Sequence, residues 1–246
     1  MSEILFETHR LAPIDATRAI RRPPPPDVRK VGYSVRLLRT AEQLQQVCEL
    51  RVKGYSKRLP DYAAALGAPE VEDTQPGTFI FIATRLADGV VVGTSRLLTN
   101  IEIPIELESH IELPPEFDGK LLAQGGRLSV LADHDNITVL RLLMKAMHGC
   151  CRALEVSHVL LAAESPRDRL FKSFGFREVY PGRRFLVRSA MSHPASVLYF
   201  DMDRTDEFLA DNPTHLRFLK TYFSDIQTFA PLFGSWHVPR KASDRL

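Results

Sequence analysis

A mixed α/β domain built on a single sheet is the fold class that the 246-residue sequence predicts, on three observations. Two β-rich runs, 78–87 and 90–99, flank Asp88-Gly89, the strongest short hairpin signal a sequence offers. Leu140, Leu143, Met147, Cys150 and Leu154 step by three and four residues, which lines up one apolar face of a long helix over 137–155. A short apolar run at 158–163 follows that helix directly, so strands and helices alternate instead of falling into separate blocks.

Residues 1–30 stand apart from this pattern. Arg21-Arg22-Pro23-Pro24-Pro25-Pro26 cannot be helical, because proline has no N–H and restricts the residue before it. The segment reads as a short arm and an extended linker. Alternation at Tyr33, Val35 and Leu37 predicts a strand over 33–39, and Leu44, Val47, Leu50 and Tyr55 predict a helix over 41–59. The acidic stretch 101–119, with Pro104, Pro114 and Pro115, is expected to be irregular. A strand over 121–131 contains Gly125-Gly126, paired glycines that suggest a bulge or a close backbone approach. Asp135 or Asn136 can cap the helix over 137–155. A short helix over 166–174 comes next, then strands near 176–180, 183–189 and 195–202. An aromatic-rich helix with Phe218, Tyr222, Phe223 and Phe229 is predicted over 213–232. The expected organisation is an arm and linker (1–30), a sheet domain (31–203) and a helical extension packed on it (204–246).

Composition narrows the function classes. The hydrophobic fraction of 44% and charged fraction of 25% are ordinary for a globular enzyme, and a net charge of +2 is too small to argue for nucleic acid. Charge is uneven, however: residues 120–190 hold twelve Lys/Arg against six Asp/Glu, whereas 101–119 hold six acids and no Lys or Arg. Two solvated faces of opposite sign fit this, as does a basic surface that meets an acidic partner or a phosphate. The three cysteines form neither a disulfide framework nor a metal-ligand spacing, and read as packed free thiols in a reducing compartment. Met1–Arg10 has no long apolar core and no run approaches the ~18 apolar residues of a membrane span, so the cytoplasm is expected, with at most peripheral membrane contact. There is no phosphate-binding loop, no G-x-S-x-G elbow and no CxxC pair. His148 reads as a satisfied helix residue, and no metal is expected.

Two segments resemble the Gcn5-related N-acetyltransferase (GNAT) superfamily: Arg127-Leu128-Ser129-Val130, a strand ending before the long helix, and Arg169–Phe176, a short helix closing in Gly175-Phe176. The resemblance spans residues 33–180. It implies two neighbouring central strands that splay apart, leaving backbone groups that the amides of a pantetheine arm can satisfy, with one N–H placed to polarise a thioester carbonyl. Two departures stand out. The loop that holds CoA pyrophosphate in that superfamily reads Leu131-Ala132-Asp133-His134-Asp135-Asn136 here, with two acids and no glycine, and Phe171 stands where a thiolate-protonating tyrosine is common. An acetyl-CoA-dependent N-acetyltransferase, or a non-catalytic binding module of this fold, remain as alternatives.

A narrower resemblance accommodates those departures. The chain is similar to the N-acyl amino acid synthases and their relatives the acyl-homoserine-lactone synthases. Four pieces carry the likeness: Arg51-Val52-Lys53-Gly54-Tyr55, Asp73 in Val71–Gln75, Gly93-Thr94-Ser95-Arg96-Leu97-Leu98, and Gln124-Gly125-Gly126-Arg127. What it implies is an acyl-phosphopantetheine thioester as co-substrate, no permanently bound cofactor, an acyl carrier protein as partner, and a small amine or amino acid as acceptor. A carrier protein is acidic and brings no pyrophosphate, which suits the basic 120–190 region. By the same resemblance Arg51, Tyr55, Arg96 and Arg127, with Leu128, Ser129 and Val130, bind substrate, the planar guanidinium of Arg127 or Arg96 taking an amino acid carboxylate. Gln124 replaces the glutamate of the lactone synthases and cannot take a proton. The catalytic group is therefore expected among Gln124, Glu164 and Asp73, the last two as candidate bases, since an attacking ammonium must first lose a proton. Glu164 equally suits a cap on the helix that follows, and Asp73 a surface loop. The C-terminal aromatic helix fits core packing or the wall of an acyl slot.

Overall fold

The computed structural model describes residues 31–57, 59–131, 136–187, 193–221, 223 and 225–226. The arm and linker over 1–30, the loop residues 132–135, and Tyr222 and Phe229 lie outside them. The chain opens with strand β1 (Tyr33–Leu37) and helix α1 (Ala41–Ser56), whose first turn closes in a reciprocal cap: the Gln43 backbone N–H donates to Thr40 Oγ1, and the Thr40 N–H to Gln43 Oε1. The helix expected over 41–59 is α1, which ends at Ser56, and Pro60 starts a second helix, α2 (Pro60–Ala65). The predicted hairpin follows as β2 (Thr78–Arg85) and β3 (Val91–Thr99). Gly89, at φ +73°, supplies the turn backbone that a side chain disfavours.

The acidic stretch departs from expectation. It holds a short helix, α3 (Glu106–His110), and a single 3-10 turn at Pro115–Phe117, because Ile105, Leu107, Ile111 and Phe117 turn inward to one small apolar cluster. Then come β4 (Leu122–Val130), α4 (Asn136–Ala153), β5 (His158–Glu164), α5 (Arg167–Ser173), β6 (Arg177–Glu178), β7 (Phe185–Leu186), β8 (Pro194–Asp201), α6 (Thr205–Phe208) and α7 (Pro213–Lys220). The last helix is shorter than the predicted 213–232: Thr221 is already extended, at ψ 137°.

One eight-stranded sheet joins the strands in the order β1-β2-β3-β4-β5-β8-β6, with β7 also on β8. Every pairing is antiparallel except β4 with β5. Odd and even residues of β2 separate the faces. Phe81 and Ala83 pack with the α4 stripe, Leu140, Leu143, Met147 and Cys150, in the main core. Ile80 and Ile82 pack on Leu44, Val47 and Cys48 of α1 across the sheet. Two glycines set the approach of these helices. A Cβ on Gly93 would lie 2.7 Å from Val139 Cγ1 of α4, and one on Gly54 of α1 would lie 1.9 Å from Ser129 Oγ of β4. All three cysteines are buried free thiols. Among the described residues no helix is long and apolar enough to cross a membrane.

Candidate active site

The sheet opens at its centre. β4 and β5 pair at only three positions, Leu122–His158, Ala123–Val159 and Gln124–Leu160, and the ladder stops there. Beyond it, Gly125–Val130 stay on β3 while Leu161–Glu164 stay on β8, so two strand ends diverge with no common partner among the described residues. A cavity of about 500 Å³ occupies the gap, lined by residues 125–130 of β4 and 161–164 of β5. It continues on the α4 side among Leu140, Met144, Met147, Leu170, Phe171 and Phe174. Backbone polar groups facing such a gap require partners from whatever enters it.

A bulge shapes the β4 wall. Gly126 pairs with Arg96 and Ser129 with Thr94, so two residues of β4, Arg127 and Leu128, oppose the single Ser95 of β3. The residue that absorbs the irregularity is Arg127, at φ +50°, and not the neighbouring glycines that suggested it. A non-glycine side chain in the left-handed region carries strain. Here the strain aims the Arg127 side chain into a buried ion-pair cluster on the α1 side.

That cluster joins three arginines to two carboxylates. Arg51 from α1 grips Asp73 with both terminal nitrogens, at 2.7 and 2.9 Å. Arg96 from β3 donates to Asp73 Oδ1 at 2.8 Å and to Glu70 Oε2 at 3.1 Å. Arg127 forks onto Glu70 through Nε at 2.6 Å and Nη2 at 2.7 Å. Burial pushes the Asp73 carboxyl up, but the Arg51 fork and the Arg96 charge outweigh it and hold the group at about 2. Glu70 is likewise held below the ordinary carboxylate range, burial being overcome chiefly by Arg127. Burial acts to lower Arg127, yet its contact with Glu70 raises it well above the usual arginine value. Burial and the neighbouring Arg127 lower Arg96. The five groups sum to one excess positive charge.

These placements revise several sequence expectations. Asp73, a candidate base, is locked between two guanidinium groups at about 2, too acidic to accept a proton near neutrality. The Arg127 fork, expected to face a substrate carboxylate, is filled by Glu70. Gln124 braces α3: its Oε1 accepts from the Leu107 N–H at 3.1 Å and its Nε2 donates to Glu106 at 3.3 Å. Glu164, in contrast, ends β5 at the cavity wall, 3.2 Å from Arg167. Tyr55 lines the same wall and donates to the Leu128 carbonyl at 3.4 Å. Ser129 also lines it, and donates to the Leu50 carbonyl at 3.4 Å.

Two neighbours went unread in the sequence. Glu70 is one of three acids in Glu70–Asp73, and nothing in the spacing separates it from Glu72, which lines a different cavity. Tyr62 lies over Arg127, its ring centroid 5.6 Å from the guanidinium carbon, and meets Tyr55 edge-on at 6.0 Å. The helical break at Pro60 was the available signal that a separate segment carries it.

This splayed, bulged sheet with helices on both faces is a GNAT-like fold. No family model and no curated protein matches the chain in sequence. Among solved structures it is similar to FeeM, an N-acyl amino acid synthase from uncultured soil microbes, with 14% identity, a TM-score of 0.53, and 73% of this chain and 96% of that one covered. It is also similar to BjaI, a CoA-dependent acyl-homoserine lactone synthase solved with SAM and isopentyl-CoA: 17% identity, TM-score 0.53, 80% and 93% covered.

Proposed function

We propose that the protein is an N-acyltransferase that moves a long-chain acyl group from an acyl carrier protein thioester to the amine of an amino acid or a related small molecule. The gap between β4 and β5, opening onto an apolar cavity of about 500 Å³, carries this reading. A pantetheine arm offers amides to the strand edges that face the gap, while its acyl chain enters the apolar part, where each buried CH₂ contributes about 0.8 kcal/mol. No covalent intermediate on the protein is required.

The acceptor is read as approaching from the α1–α2 side, where Tyr55, Tyr62, Arg127 and Glu70 gather. Glu70, with 18% of its side chain exposed, anchors an ammonium, and the excess positive charge of the cluster favours an acceptor that also bears a carboxylate. Once deprotonated, the amine nitrogen attacks the thioester carbonyl carbon, and the developing oxyanion takes N–H donation from the β4 edge. The C–S bond then breaks. On this reading Glu164, at the cavity wall, accepts the nitrogen's proton, directly or through one water, and returns it to the departing thiolate. Arg51 and Asp73 hold this geometry without touching the reacting atoms.

A CoA thioester is the second reading of the donor, favoured by the fold likeness to a CoA-dependent synthase. Incubation with acyl carrier proteins or acyl-CoAs of several chain lengths and pooled amino acids, followed by thiol titration and mass spectrometry, tests the proposal. Thiol release no faster than in the enzyme-free control overturns it. Glu164→Gln is expected to lower turnover about 10²-fold or more while leaving the melting temperature in place.

A further inference from the structure

The far wall of the cavity is not wholly apolar. His148 of α4 and His215 of α7 both line it, among Met147, Phe174 and Phe200. His215 is 3% exposed, tilts over Phe174 at 4.8 Å and stacks on Phe218 at 6.2 Å, and among the described residues its Nδ1 has no hydrogen-bond partner. His148 meets Thr205 Oγ1 at 3.4 Å through Nε2, its one side-chain hydrogen bond among the described residues. Thr205 Oγ1 already donates to the Met202 carbonyl, so it accepts from His148. Burial lowers both rings to about 4, and the neighbouring charges that act on them, Arg141, Lys145 and Arg152, are all basic. Both imidazoles are therefore neutral near pH 7. Each then offers one donor and one acceptor, a set that the described contacts do not fill.

An unbranched alkyl chain laid against this wall would leave the buried His215 Nδ1 without a partner, which is costly for a buried polar group. A hydroxyl both donates and accepts, and matches a pair of neutral imidazoles. We propose that the acyl chain this cavity selects carries a hydroxyl group at the depth of His148 and His215. The inference rests on reading the cavity as the acyl site, and extends that reading from chain length to chain chemistry.

Calorimetric titration of the full chain with non-hydrolysable thioether analogues of dodecanoyl-pantetheine tests it. The analogues are unsubstituted, or hydroxylated near the carboxyl end, at mid-chain or at the terminal carbon. One hydroxylated isomer is expected to bind about tenfold tighter than the plain chain. In His148→Phe and His215→Phe that ratio should fall towards unity, with folding checked by circular dichroism. Should either variant fail to fold, the wild-type series still decides. If the plain chain binds as tightly as every hydroxylated isomer, the hydroxyl inference is overturned and the acyl site stands. If no analogue binds, plain or hydroxylated, the acyl site itself falls, and the inference with it.

Discussion

The two sides of the β4–β5 gap are built from opposite materials. On the α1 side, Arg51, Arg96, Arg127, Glu70 and Asp73 form a dense ionic lattice in which each carboxylate meets at least two guanidinium groups. On the α4 side, Leu140, Met144, Met147, Phe171 and Phe174 leave open space. Buried ion pairs demand exact partners, so the first side is rigid in register and intolerant of truncation. Flexible methionines and apolar walls adapt to what they hold, so the second side suits a ligand of variable length. In the proposed reaction, acceptor selection falls to the charged side and acyl selection to the open one.

The comparison breaks most readily at Arg51, which is fully buried. Arg51→Met strands the Asp73 carboxylate without its fork and should cost about 3–5 kcal/mol, lowering Tm by roughly 10 °C in a thermal melt. An unchanged Tm would show that the lattice is not holding the fold.

The open side answers to pH instead. His148 and His215 sit at about 4 in the fold against an ordinary 6.5, so the unfolded chain binds more protons between those values. Stability present above pH 6.5 is lost as pH falls towards 4, by on the order of 2 kcal/mol per ring. The double variant His148→Phe/His215→Phe should flatten urea-midpoint profiles across that window. Profiles as steep as the parent's would place the titrating groups elsewhere.

Next in size is the seam between the sides. Gly54→Ala drives a methyl into Ser129 and should cost about 1–3 kcal/mol, with part recovered by adding Ser129→Ala. Additive losses in that double-mutant cycle would mean the two residues are not coupled. The smallest effect belongs to Asp206, whose 2.8 Å contact with Lys220 lies in solvent. Asp206→Asn should shift stability by less than about 0.5 kcal/mol, which sets the scale against which the buried lattice is judged.

The sequence exposed what periodicity and turn chemistry control. The stripe Leu140–Leu154 and the Asp88-Gly89 turn placed α4 and the β2–β3 hairpin, because a single face and a single left-handed position leave few alternatives. Residues whose roles depend on distant partners were harder. Gly125-Gly126 suggested a bulge or a close backbone approach, whereas the left-handed residue of the bulge is Arg127, which local sequence does not favour there. Asp73 was legible as a candidate site residue but not as a locked carboxylate, since its two arginines come from α1 and β3. α3 was missed because its inward residues are scattered among prolines and acids. His215 gave no signal at all, because its significance lies in the cavity it borders.

The three-residue joint between β4 and β5 has a mechanical consequence. Hydrogen-bonded continuity runs through β1–β4 and through β5–β8, yet among the described residues only that short parallel stretch couples the two halves within the sheet. Fluctuations can therefore widen or narrow the mouth without breaking either ladder. Amide exchange along Gly125–Val130 should report the breathing of this hinge, and slow when a chain of amides is threaded through it.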